Sequence, residues 1–441
     1  MFDYSTVAVE IWHLILLEAI DVPYLLDTMI DPTADYWTRS PLYHDYDRYT
    51  KSEQTRRTLG LVCQSWRIFI DGYKYRWITY NTGLDKDPRK QREVLEALNS
   101  LTLVSADQPE GSRASSRPRR IMFHINCKED VDIFRQLVES CSSKVTILFT
   151  ECAETFEDAT FEHLINHSSK IPNLRFLTIC GPNYALMPLR AISEAFPRLF
   201  TLAISHNRFV TYPLRERDVL ILPELEVLGM DLSQTDPETL TSWDLRGLRQ
   251  LHTRLSSDYK NGVYISMEPI RLFGANLSVL NIHKLQFGRI PIPIPFEFWT
   301  WCPLLRELMI FLSGIYLDTA APDGHPLKFL VHWPYYDNIE LDPEWAVSSS
   351  HLETWVILHN LTLLPIGLDM LLIWKSWAGY MSFLSARYNK SEREAFLARM
   401  NEICLQRSIR VEDRLQVSLG DFLAGRDERA ALTSSPSNDS S

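Results

Sequence analysis

His163 and His167 stand four residues apart, and on a helix that spacing turns both imidazoles to one side. Two imidazoles on one face are the start of a divalent-metal site, which needs at least a third ligand. No third ligand is evident nearby, so the pair reads as surface or packing histidines and no metal is expected. His44, Asp45 and Asp47 form a second polar cluster, but their spacing matches no cation cage and suits a solvated or partner-facing loop. Cys63 falls on an apolar stripe and Cys180 at the end of an expected strand. Neither has a neighbouring histidine or cation in the sequence to lower its pKa, so neither is nominated as a nucleophile. With only 16 glycines in the chain and no phosphate-loop, serine-elbow or zinc-protease motif, the expectation is a non-catalytic protein without a cofactor.

If the chain performs no chemistry, its residues must serve binding, and composition limits what is bound. The 441 residues are 45% hydrophobic and 11% aromatic, enough for a large core. The net charge of −11 disfavours nucleic acid and anionic membranes as partners. The one dense basic run, Arg113 to Arg120, lies in a Ser/Pro-rich stretch that reads as a solvated loop. The 7 cysteines are scattered without a C-x-x-C pair, which fits a reducing compartment. No signal peptide is evident at the N-terminus. The apolar stretch Trp355–Ala386 is interrupted by His359, Pro365, Asp369 and Lys375, short of the roughly 18 clean residues of a membrane span. A buried helix is expected there, and a cytoplasmic or nuclear location.

Near the N-terminus, Ile11, Leu14 and Ile15 recur at helical spacing. Leu59, Val62, Cys63 and Trp66 do so again, on a helix expected to start near Thr50 and Glu53, a capping-box pair, with Ser52 as another cap. Glu10-Ile11 and Val62-Cys63-Gln64-Ser65-Trp66 resemble the two conserved segments of an F-box, the helical module that docks onto the Skp-type adaptor of a Skp–cullin–F-box ubiquitin ligase. Val7-Ala8 replaces the family's usual Leu-Pro. An aromatic, acidic insert at about 21–51 resembles that of fungal F-box proteins. The resemblance covers roughly the first 80 residues. It implies that Ile11, Leu14, Ile15, Leu59, Val62 and Cys63 contact the adaptor, and that Trp66 pins the helices together.

Downstream, a Leu-x-x-Leu-x-apolar pattern recurs. It appears at Leu174/Leu177/Ile179, Leu199/Leu202/Ile204 and Leu225/Leu228/Met230. Looser copies start at Leu248, Leu277, Leu305, Leu327 and Leu352, and the last includes Trp355 and Ile357. The intervals are 25, 26, 23, 29, 28, 22 and 25 residues, inside the range of leucine-rich repeats. Two further strands are expected at 121–125 and 145–149. Val131, Phe134, Leu137 and Val138 share one helical face, as do Leu189, Ile192 and Phe196, so helical returns should cover the strands.

The expected fold is α/β: an F-box-like module over 1–80, an irregular leucine-rich-repeat-like solenoid with a curved parallel sheet over 81–360, capping helices over 361–425 and a disordered tail over 426–441. Ser391 and Glu394 are expected to open the last capping helix. Trp333, Tyr335 and Tyr336 are candidate target-binding aromatics. A target protein held by the array and an adaptor held by the helices would make this the substrate receptor of a ubiquitin ligase. A ligase-independent repeat scaffold is the alternative.

Overall fold

The computed structural model describes residues 8–20, 40–81, 119–140, 145–181, 189–205, 219–255, 267–284, 292–310, 315–332 and 354–425, apart from positions 72, 74, 75, 154, 155, 233, 234, 374, 375, 386, 387 and 414. Twelve strands form one large parallel sheet and follow one another in sequence order. The chain divides into two compact units, one of residues 1–230 and 238–248, the other of 231–237 and 249–441.

The first unit opens with three helices, α1 (Val9–Ile20), α2 (Ser40–Leu59) and α3 (Gln64–Asp71). Strands β1 (Trp77–Asn81), β2 (Arg120–Ile125), β3 (Ile147–Cys152), β4 (Phe176–Cys180), β5 (Thr201–Ser205) and β6 (Val227–Gly229) follow. Parallel neighbours need crossover connections. Two of these are α4 (Lys128–Ser140) and α5 (Glu157–Asn166). In α4 the buried residues include Val131, Phe134, Leu137 and Val138, the face its spacing foretold.

The registers align one apolar residue from each strand. Ile78, Ile121, Leu148, Leu177, Leu202 and Leu228 are successive partners, and all are 0–3% exposed. The second leucine of each repeat therefore builds a continuous ladder on one face of the sheet. The first leucine turns the chain into the strand: Leu174, Leu199 and Leu225 are all buried. Each such turn is closed by a short backbone bond, as in Leu225 N–H donating to the Leu222 carbonyl at 3.0 Å.

The second unit repeats the plan. Strands β7 (Gln250–Leu255), β8 (Val279–Lys284), β10 (Glu307–Ile310), β12 (Phe329–His332), β13 (Met370–Ile373) and β14 (Arg410–Asp413) belong to the large sheet. β9 (Ile292–Ile294) and β11 (Ile315–Leu317) pair separately. Here the ladder is Leu251, Leu280, Leu308, Leu330, Leu371 and Val411. Close packing leaves no room for a side chain at Gly274, where a Cβ would lie 2.6 Å from the Trp301 carbonyl oxygen.

Several expectations need correction. Leu352 lies outside the described residues, and Trp355 and Ile357 lie on a helix over 354–363, not on a strand. Trp355 stacks on His359, one helical turn away, at 5.0 Å between ring centroids. The eighth repeat is instead Leu368/Leu371/Ile373, which forms β13. The 361–425 stretch is not purely helical. It holds β13 and β14, with helices Trp377–Ser385 and Lys390–Gln406 between them. The latter helix is capped by Asn389 with Glu392, each side chain bonded to the other's backbone N–H, rather than by Ser391 and Glu394. At the other end, the module expected to be helical over 1–80 includes most of β1, the first strand of the sheet. α2 begins at Ser40, inside the expected insert, and Thr50 is interior to it. Residues 426–441 lie outside the described residues.

Candidate docking face on the N-terminal helices

A buried polar knot fixes the three helices against the entry to β1. The Ser52 hydroxyl and the Arg76 guanidinium both donate to the carbonyl of Ile20, the last residue of α1, the latter at 3.0 Å. That carbonyl has no partner within its own helix, and a cation at a helix C-terminus is favoured by the dipole. Arg76 also donates to Ser52 Oγ at 3.0 Å and pairs with Glu53 at 3.4 Å. Glu53 holds Arg56 at 2.7 Å, and Arg56 reaches Asp71 of α3 at 3.2 Å. Arg56 and Arg76 are only 4% and 6% exposed, so these bonds compensate charges that would otherwise be costly to bury.

Aromatic contacts complete the seam. The Trp12 and Trp66 rings lie 5.3 Å apart, and His13 stacks on Phe69 at 3.7 Å. Leu16, Ile20 and Ile70 are buried beneath them. Trp66 thus faces α1.

α1 is nevertheless apolar on its outward side as well. Ile11, Leu14 and Ile15 are 50%, 66% and 48% exposed. The turn ahead of α3 adds Leu61 at 85% and Val62 at 60%, and α3 adds Ile68 at 69%. A soluble helix ordinarily keeps one apolar stripe and a polar opposite face. Large exposed apolar side chains on a helix, and on the turn and helix that follow α2, are candidates for contact with a partner.

The expected stripe of Leu59, Val62, Cys63 and Trp66 is not one helical face. α2 ends at Leu59, residues 60–63 turn, and α3 starts at Gln64. Leu59 is half-buried, while Val62 and Cys63 are exposed. Hydrogen bonds from the Ser65 hydroxyl and the Trp66 backbone lower the Cys63 thiol pKa, a local effect its sequence neighbours had not suggested. Leu61 and Ile68 were not nominated from the sequence. The signal available was Gly60, which ends the helix and leaves Leu61 with nothing behind it to pack on. Trp333, Tyr335 and Tyr336 lie outside the described residues, as do the side chains of His44, Asp45 and Asp47.

On the sheet face opposite the leucine ladder of the first unit, His124 and Glu151 are cross-strand neighbours with Nδ1 and Oε2 2.8 Å apart. Among the described residues no helix is long and apolar enough to cross a membrane.

The resulting class is an α/β protein built on a repeating parallel sheet, with an apolar helical surface at its N-terminal end. No protein-family model matches the chain, and no curated protein matches it. Among solved structures it is similar to a crystal structure of a Bacteroides fragilis protein, at 12% identity and a TM-score of 0.33, over 68% of this chain and 82% of that one.

Proposed function

We propose that this chain is a substrate-receptor subunit of a Skp–cullin–F-box ubiquitin ligase. The N-terminal helices bind the Skp-type adaptor, and the repeat sheet holds a target protein. The observation that carries this reading is the outward apolar face of Ile11, Leu14 and Ile15 on a helix whose opposite face is already buried. These are residues that the F-box resemblance assigns to the adaptor. Leu61 and Val62 extend the same kind of surface, and Trp66 sits inward against Trp12 as the resemblance requires of a pin. Fully desolvated apolar anchors of this kind carry most interface energy.

The receptor contributes positioning rather than bond chemistry. A target held beside a charged conjugating enzyme meets it at a raised effective concentration. Titration of the full chain with a purified Skp-type adaptor tests the reading. A saturable one-to-one complex supports it. Absence of binding favours the ligase-independent scaffold, for which the turn at residues 60–63, interrupting the expected helical stripe, is the relevant observation.

A further inference from the structure

Glu139 lies near the end of α4, His163 lies in α5, and His167 is the residue that closes α5. The sequence shows the two histidines but not their companion, because Glu139 comes from the preceding helical return. In the fold, the Nε2 atoms of His163 and His167 each lie 3.9 Å from the same carboxylate oxygen, Glu139 Oε1. One ligand atom from each of the three residues lies within 4.8 Å of the other two. The imidazoles stack with centroids 4.0 Å apart.

The far side of each ring is held by backbone. His167 Nδ1 lies 3.0 Å from the His163 carbonyl oxygen. His163 makes a hydrogen bond to the backbone of Arg135. A protonated Nδ1 leaves Nε2 with a bare lone pair, and backbone carbonyls are the usual outer partners that orient ligating histidines. His163 Nε2 is buried and has no hydrogen-bond partner. A buried acceptor left in that state is costly, and a cation would satisfy it.

We propose that Glu139, His163 and His167 form a binding site for a divalent transition metal, with zinc the best match, that clasps two successive helical returns of the array. Two imidazoles and one carboxylate suit zinc rather than calcium or magnesium, which prefer oxygen ligands. Three protein ligands leave a fourth position for water or for a donor from a bound protein. Tetrahedral bonds of about 2.1 Å set ligand atoms roughly 3.4 Å apart. The two Glu139 separations of 3.9 Å therefore close by about half an ångström on binding, a shift within reach of the 54%-exposed Glu139 side chain, and the stacked rings turn so that each Nε2 lone pair meets the ion. The Arg135 guanidinium, which also faces His163, is turned toward Asp132 at 3.7 Å.

The test is calorimetric titration of the chelator-treated full chain with zinc chloride, beside Glu139→Gln and His167→Ala. Melting curves with and without zinc and the visible spectrum of the cobalt-loaded chain complete it. Both substituted positions are partly solvent-accessible, and circular dichroism checks that each variant folds. The wild type should bind one equivalent at this site, melt higher with zinc and show the intensified cobalt bands of four-coordination. Each variant should bind at least about tenfold more weakly and lose both signatures. An equivalent that survives unchanged in both variants belongs to other residues, such as the exposed Cys63, and overturns the proposal. So does the absence of binding and of any zinc-dependent melting shift in the wild type.

Discussion

The Arg76 guanidinium donates to the carbonyl of Ile20 at 3.0 Å, across 56 residues of sequence. It is the bond that ties the end of α1 to the residue leading into β1. The same side chain reaches Ser52 and Glu53 on α2, so one arginine registers two helices on the first strand of the sheet.

Replacing Arg76 with alanine removes one of the two donors to the Ile20 carbonyl, the donor to Ser52 Oγ and one of the two cationic partners of Glu53, all in a largely buried site. Breaking a buried, hydrogen-bonded charge pair in this way costs about 3 kcal/mol. Urea unfolding followed by tryptophan fluorescence should show that loss. Because the knot orients α1, adaptor binding should fall as well. An unchanged unfolding midpoint would mean that the arginine is dispensable.

The leucine ladder makes a graded claim about the second unit. Leu280 is fully buried between its register partners Leu251 and Leu308. Truncation to alanine removes buried methyl groups and leaves a cavity, costing about 2–5 kcal/mol. Ile366, 75% exposed, is the control, and its alanine variant should change stability by less than about 0.5 kcal/mol. Equal losses at the two positions would contradict the ladder.

His332 stands where most repeats carry an aliphatic residue, and burial pushes its pKa down to about 3, partly offset by a bond to the Ile310 backbone. Its ring meets Tyr380 edge to face at 5.9 Å. In the unfolded chain the imidazole titrates near about 6.5, so between the two values the unfolded state binds the extra proton. This contribution to stability is complete above about pH 6.5 and declines as pH falls toward 3. The loss by pH 5 amounts to about 2 kcal/mol. His252, pushed down to about 4 by burial, acts with the same sign. A His332→Gln variant should lose less stability than wild type between pH 7 and pH 5. Parallel pH profiles would assign the acid sensitivity to other groups.

Strands whose leucines fall at regular intervals were legible in the sequence, because alternate burial on a parallel sheet repeats a short apolar pattern. The last two strands were not. From 354 to 388 apolar residues are so dense that helix and strand periods coexist, and only the fold separates the helix carrying Trp355 from the strand carrying Leu371. α2 was legible only in its C-terminal half, since Ser40–Leu59 has almost no apolar stripe and is held by Ser52, Glu53 and Arg56 instead. The candidate face was legible as residue types at Ile11, Leu14 and Ile15. Their exposure was not, because a helix that is apolar on both sides reads as core until its packed side is known. Glu139 was hidden for a different reason: it joins His163 and His167 only through the packing of two helices.

The most direct measurement is the affinity of a purified Skp-type adaptor for the full chain and for a Leu14→Asp, Leu61→Asp double variant. Both leucines are solvent-exposed, at 66% and 85%, so the variant should fold and melt like wild type. Binding by wild type with a loss of at least about thirtyfold in the variant is the expected result, since a hot-spot pair is worth 2 kcal/mol or more. No binding by wild type, or equal binding by both, would contradict the assignment of this face to the adaptor.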